Sequence, residues 1–300
     1  MQKVKLSENL EISRLTHGHW RALDWKLSEQ ELLKLTEQVV ELGITTFDHA
    51  DLYGNFECEK LFGKVLNLNK ELRNEIQIVS KCGIKPLSNK FPNRQIGFYD
   101  YSFEHITSSA EKALRNFKTD YIDLFLLHRP SPFFDPEEVA KAFSHLIKSG
   151  KVLHFGVSNF TPQQFDMLNT FVEEPLVTNQ VEISPHCLEH VDNGNLDFFL
   201  QKKIKPMAWS PLAGGKLMNP QTEKEHRIHE TLRKIADELN VDSLDKIVYS
   251  WLLKHPSGII PIIGSGKIER IKKAVASMDV SMNLEQWMEI YVAARGEKLP

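Results

Sequence analysis

The chain has little cysteine, no long apolar run and almost no excess of charge. Its three cysteines, Cys58, Cys82 and Cys187, are odd in number and have no close pair, which excludes a disulfide framework and a cysteine-based zinc site. No window approaches the roughly 18 apolar residues of a membrane span. Met1 to Ser13 alternates charged and apolar residues and lacks the apolar stretch of a signal peptide. A cytoplasmic protein with no membrane partner is therefore expected. Lys and Arg total 37 against 40 for Asp and Glu, a net charge of −3, so no field exists to attract nucleic acid. The 15 Gly and 14 Pro are scattered, which excludes collagen-like repeats and low-complexity disorder.

What is present is an ordinary globular composition, 41% hydrophobic and 26% charged over 300 residues, enough for one sizeable core. Short β-rich runs alternate with helical segments from end to end. The strand candidates are Ile12–His17, Thr45–Phe47, Ile76–Ser80, Ile122–Leu127, Leu153–Val157, Val177–Val181, Lys205–Trp209 and Ile259–Ile263, continuously apolar as strands buried on both faces are. Between them stand helix start signals. Ser28-Glu29-Gln30-Glu31 is a capping box ahead of Leu32, Leu35, Val39 and Leu42, stopped by Gly43. Phe103, Ile106, Ala110, Ala113 and Phe117 trace one apolar stripe. Asp135-Pro136 and Thr161-Pro162 each place a cap before a first-turn proline. Further helices are expected over Thr222–Leu239, Ser243–Lys254, Ile268–Ala276 and Leu284–Ala294. The alternation predicts a (β/α)8 TIM barrel. No linker or composition shift divides the chain, so residues 1–300 read as a single domain. A doubly wound dinucleotide fold would carry G-x-G-x-x-G after its first strand, and none is there.

In such a barrel the chemistry sits at the C-terminal ends of the strands. The second strand candidate ends in Asp48, with Tyr53 five residues on; the third ends in Lys81 and the fourth in His128. Each has an unremarked alternative role as a helix cap, a solvated cation, a turn former or a packed aromatic. Their joint placement on successive strand ends outweighs those roles. A phenol with a pKa near 10 is a poor acid; a neighbouring ammonium favours its ionised form, and a carboxylate can hold that ammonium. A neutral histidine can orient a carbonyl oxygen. The set could protonate an oxygen while a hydride reaches carbon.

These residues resemble the aldo-keto reductases. Gly43 to Gly54, G-I-T-T-F-D-H-A-D-L-Y-G, is similar to the family's Asp and Tyr segment, Ile78–Lys81 to its lysine strand and Asp123–Pro130 to its histidine strand. Gly156-Val157-Ser158-Asn159-Phe160, Thr178-Asn179-Gln180, Ala208-Trp209-Ser210-Pro211-Leu212 and Pro261 to Arg270 follow in the family's order. The tail beyond resembles a bacterial subgroup of cytoplasmic NADPH-dependent oxidoreductases. The resemblance implies carbonyl reduction with Tyr53 as proton donor, tuned by Lys81 and Asp48, and with His128 positioning the carbonyl. It implies that Ser158, Asn159 and Gln180 hold the nicotinamide carboxamide, and that Trp209 stacks on its ring where many relatives have Tyr. Ser210, Pro211 and Leu212 would follow the pyrophosphate, and Gly264, Ser265, Gly266, Lys267 and Arg270 the adenosine phosphate.

Gly264 stands where many relatives carry lysine, yet Lys267, Arg270 and Ser265 still favour a 2′-phosphate, hence NADPH/NADP⁺ rather than NADH. Lys272-Lys273-Ala274 replaces the acidic or amide pair that binds adenine in many relatives, so adenine contacts stay unassigned. Trp20, Trp25, Phe56 and Phe133 would line a pocket for a small carbonyl substrate. The chain is expected to act as a monomer or weak oligomer, without metal. A cofactor-binding regulatory barrel with little turnover is the other reading. A more remote one takes His17-Gly18-His19 as metal ligands of a hydrolase barrel. His186-Cys187-Leu188-Glu189-His190 also fits an inverted zinc-protease pattern, although twelve histidines make a chance match easy.

Overall fold

Strands that are apolar on both faces need a covered parallel sheet, and the chain builds one closed on itself. The structure, a computed structural model, describes residues 2–299. Eight strands close into a barrel in sequence order: Thr16–Gly18, Thr46–Asp48, Gln77–Cys82, Ile122–Leu127, Val152–Ser158, Asn179–Glu182, Met207–Trp209 and Ile260–Ile263. With helices between them this is a (β/α)8 barrel. Among the described residues no helix is long and apolar enough to cross a membrane.

The chain divides into two compact units, Met1–Asn179 with Gly264–Gly266, and Gln180–Ile263 with Lys267–Pro300. In the first, register is continuous: Gly18 pairs with Asp48, Asp48 with Val79, and Lys81 with Leu126. Phe47, Ile78, Leu124, Phe125 and Leu126 are fully buried. Arg73 and Asp123 fasten the third strand to the fourth: the Asp123 carboxylate accepts from the guanidinium at 2.8 Å and from the Ile78 amide at 2.8 Å. The predicted caps form as expected. Ser28 and Thr161 each make a complete capping box, and Asp135 accepts from two first-turn amides.

In the second unit Met207 pairs with both Gln180 and Ile260. The helices Glu223–Glu238 and Leu284–Arg295 are joined by Lys234–Glu289 at 2.6 Å and Gln286–Glu238 at 3.0 Å. The helix Leu244–Lys254 is tied to Leu284–Arg295 by two stacked indoles, Trp251 and Trp287, with centroids 4.9 Å apart. Each indole N–H donates to the other's backbone carbonyl, at 3.1 and 3.0 Å.

The first strand candidate is corrected. Leu10–Ser13 pairs antiparallel with Lys3–Ser7 as a hairpin, and the barrel strand begins only at Thr16. Leu10, Ile12 and Leu15 are all buried, so one apolar run serves two elements and its period carries no break. A second small hairpin, Ile84–Lys85 with Phe98–Tyr99, and the helices Cys58–Leu68 and Asn195–Lys202 are likewise unmarked in the sequence.

Candidate active site

Asp48 ends the second strand, and the chain beyond it keeps bonding to the third: the His49 amide donates to the Val79 carbonyl at 2.8 Å and the Asp51 amide to the Lys81 carbonyl at 3.0 Å. This carries the backbone along the strand mouth before it turns at Tyr53. The turn is held by an unusual run of left-handed backbone, Gly54, Asn55 and Phe56 at φ of 57°, 53° and 68°. Asn55 and Phe56 lack glycine's freedom there, and such strain persists only where surrounding contacts enforce it. At Gly54 a Cβ would lie 2.6 Å from both Cys58 Sγ and Leu23 Cδ1, so a side chain there would have to displace both as well as adopt the left-handed backbone.

The result brings four predicted residues of the first unit together. Lys81, fully buried, directs its Nζ to both Asp48 oxygens at 2.8 Å, to the His49 carbonyl at 2.7 Å and to the Tyr53 hydroxyl at 3.3 Å. An ammonium has three N–H donors, and these three partners use all of them. The phenol oxygen therefore accepts from Lys81, leaving its own proton to be given elsewhere. The Tyr53 ring stands edge-on to His128, centroids 5.9 Å apart at 76°. His128 follows the fourth strand, its amide donating to the Cys82 carbonyl at 2.9 Å.

The electrostatics correct one expectation. Tyr53 is pushed well above the ordinary phenol range, by burial first and then by Asp48 and Asp51, with Arg129 opposing. Burial and the carboxylates outweigh the pull of the ammonium on the phenol, because Asp48 stands beside that charge. Lys81 is itself lowered by burial and supported by Asp48. His128 is held well below its ordinary value by burial, Lys81 and Arg129, so it is a neutral imidazole, and its Nδ1 is buried without a partner. The site thus contains an un-ionised phenol beside a neutral histidine.

The remaining predicted residues fall as follows. Ser158 closes the fifth strand and is buried, while Asn159, at φ 63°, donates from Nδ2 to Ser158 Oγ at 2.8 Å and to the His128 carbonyl at 3.2 Å. Asn179 donates to the Phe160 carbonyl at 2.7 Å, and its buried Oδ1 has no donor. In the second unit Gln180 is buried within its strand, Trp209 ends its strand half-buried, and Ser210 takes a left-handed turn at φ 51° ahead of Pro211 and Leu212. Lys267 caps the helix Ile268–Ala276, whose first turn carries Arg270. In the first unit Gly264 is exposed, Ser265 gives its carbonyl to His17 Nε2 at 2.8 Å, and Gly266 lies under Trp25, where a Cβ would meet the indole at 2.4 Å.

The four proposed pocket aromatics differ in surroundings. Trp25 stacks on His17 at 5.4 Å, Phe56 is buried edge-on to Phe91 at 5.3 Å, and Trp20 and Phe133 are exposed. His17 and His19 are buried against one another, Nδ1 to Nε2 at 3.2 Å, and burial pushes His17 down to about 4. His186 contacts Glu225 at 3.3 Å and His190 contacts Asn195 at 2.7 Å. Only His190 lies in the helix Glu189–Asp192, so these two histidines lack the shared helical face the protease pattern needs. Among the described residues no group of His, Cys, Asp or Glu is arranged to hold a metal ion. Missing from the sequence reading are the His49 carbonyl, Asp51 and Arg129. They sit beside the predicted residues, but a polar loop residue reads the same whether buried or solvated.

Comparison with known proteins defines the class. Residues 14–294 match the model of the Aldo/keto reductase family. The chain is 47% identical to the uncharacterised oxidoreductase YcsN of Bacillus subtilis and 47% identical to the oxidoreductase YdhF of Escherichia coli, each over the full length of both chains. It is 38% identical to a 6-dehydroglucose reductase of Agrobacterium fabrum, again over both full lengths. The fold matches the crystal structure of a thermostable aldo-keto reductase bound to the inhibitor epalrestat, with a TM-score of 0.80 at 24% identity, covering 98% of this chain and all of that one. The chain belongs to the aldo-keto reductase family, and it is an NAD(P)H-dependent oxidoreductase that acts on small carbonyl compounds.

Proposed function

We propose that this protein reduces an aldehyde or ketone to an alcohol with NADPH, and that Tyr53 gives the proton. The observation that carries the reading is the Lys81 ammonium donating to the Tyr53 oxygen at 3.3 Å while burial and two carboxyl groups keep the phenol un-ionised. Lys81 thereby stabilises the phenolate left after transfer. Asp48 anchors the ammonium, and neutral His128 donates a hydrogen bond that orients the carbonyl oxygen.

The cofactor, when bound, supplies the hydride. Ser158, Asn159 and Gln180 would hold its carboxamide, and Trp209 would cover its ring. The donorless Asn179 Oδ1 fits an amide N–H nearby. Ser210, Pro211 and Leu212 would follow the pyrophosphate, and Ser265, Lys267 and Arg270 the 2′-phosphate, which makes NADPH the better partner. The protein works in the cytoplasm as a monomer or weak oligomer, in keeping with three unpaired cysteines.

The test is steady-state reduction of a panel of activated aldehydes, quinones and 6-dehydroglucose, the last chosen because two bacterial relatives at 38% identity are 6-dehydroglucose reductases. Tyr53→Phe should lower kcat by about 10²–10⁴-fold with NADPH affinity unchanged by fluorescence titration. Parental activity in that variant overturns the proton-donor assignment. Equal affinity for NADH and NADPH overturns the phosphate assignment.

A further inference from the structure

A cavity lies within the first unit, and none of the four catalytic candidates lines it. It measures about 330 Å³, inside the range of small-molecule sites, about 300–1,000 Å³. The helix Phe103–Phe117 contributes Lys112 and Arg115, one turn apart, and the loop after Cys82 contributes Lys85 and Arg94. Like charges gathered around a concavity repel one another unless something negative stands among them.

Little does. Lys85 pairs with Asp100, but Lys112 and Arg115 have no ion pair among the described residues; the Lys112 ammonium rests 4.8 Å over the Phe56 ring. The sole carboxyl in the lining is Asp51, 7% exposed, whose Oδ1 has no hydrogen-bond partner. Burial and the nearby Glu59 carboxylate push Asp51 up to about 8, so it adds little negative charge to this wall near pH 7. His105 Nε2, also on this wall, is buried and unpartnered.

The guanidinium of Arg94 is fixed in advance. It donates to the Pro86 carbonyl at 2.7 Å and lies 4.3 Å over the Phe91 ring. A fixed planar fork and two further cationic side chains without an ion pair, lining one space, are what a tetrahedral oxyanion satisfies with charge-assisted hydrogen bonds. Phe56 and Phe91 close one side with an apolar edge-to-face pair at 5.3 Å, against which the carbon body of an organic phosphate could lie.

We propose that this cavity is a binding site for a phosphate group, separate from any site for the cofactor. The experiment is calorimetric titration of the protein saturated with NADP⁺, which fills the cofactor's own phosphate subsites, using inorganic phosphate and glucose 6-phosphate as probes. Saturable binding is expected in the presence of NADP⁺. Lys112→Ala with Arg115→Ala should weaken it by about tenfold or more, with the thermal midpoint and NADPH turnover unchanged. Tighter binding of glucose 6-phosphate than of inorganic phosphate assigns the site to an organic phosphate, and equal binding assigns it to the free ion. No saturable heat with either probe, heat that NADP⁺ abolishes, or affinity indifferent to the double substitution overturns the proposal. A His105→Gln variant, which keeps the side chain's size and a donor, should retain most of the affinity.

Discussion

At the scale of single residues the protein is governed by two buried carboxyl groups with opposite arrangements. Asp48 has its cation at 2.8 Å and is 3% exposed; Asp51 has no salt-bridge partner among the described residues, Lys112 and Lys81 acting on it only from further off. Removing one partner of a buried pair strands the other, at a cost of about 3–5 kcal/mol. Lys81→Met should therefore lower the free energy of unfolding by that order, and adding Asp48→Asn should restore part of it, as read by urea denaturation of both variants and the pair. Asp51 behaves inversely. Its folded-state pKa, about 8, exceeds the unfolded value of about 3.9, so the native state holds a proton that the unfolded chain has lost between those values. Stability from this group is complete below about pH 4 and falls as pH rises toward 8. Asp51→Asn removes that loss. The variant should gain on the parent by up to ~1.4 kcal/mol per pH unit from pH 5 to 8, and a flat difference across that window would refute the assignment.

Elements show where the sequence could be read and where it could not. Ser28, Thr161 and Asp135 announce their helices because a cap is a local bargain between one side chain and the next turn's amides. Ile122–Leu127 is recovered to the residue, since both of its edges change character abruptly. The hairpin Lys3–Ser7 with Leu10–Ser13 escapes such a reading because its identity depends on a partner strand, and apolar alternation does not name the partner. The same division holds at the site. Asp48, Tyr53, Lys81 and His128 are legible from strand-end position, while the depression or elevation of each proton affinity depends on burial that no local pattern encodes. The packing of the proposed pocket aromatics is equally non-local: Trp25 against His17 and Phe56 against Phe91 are tertiary contacts that no sequence pattern announces. Gly63 is a further element-scale constraint. It lets the helix Cys58–Leu68 approach Phe103–Phe117 so closely that a Cβ would sit 1.8 Å from the Asn116 carbonyl oxygen. Gly63→Ala should destabilise the protein by about 1–3 kcal/mol or more, measured as a shift of the denaturation midpoint with an unchanged slope.

For the whole molecule, closure of eight strands in sequence order leaves no barrel edge at which the ladder can be peeled. The division between the two compact units falls at Asn179 and Gln180, inside one strand, with no linker there. We propose that the chain unfolds as one domain. Differential scanning calorimetry should give a single transition with matching calorimetric and van't Hoff enthalpies, moved upward by saturating NADP⁺ as ligand linkage requires. Two resolved transitions would refute it.

The glycine beneath Trp25 has an optical consequence. Because Gly266 touches that indole so closely, any displacement of the loop Gly264–Gly266 must alter the ring's surroundings, and protonation of the stacked His17 would quench it. Trp251 and Trp287, locked face to face, change little by comparison. The protein thus carries two indoles expected to respond to the cofactor, Trp25 packed against the loop and Trp209 at the ring, and an internal reference pair elsewhere, so occupancy should be readable by native fluorescence without a label.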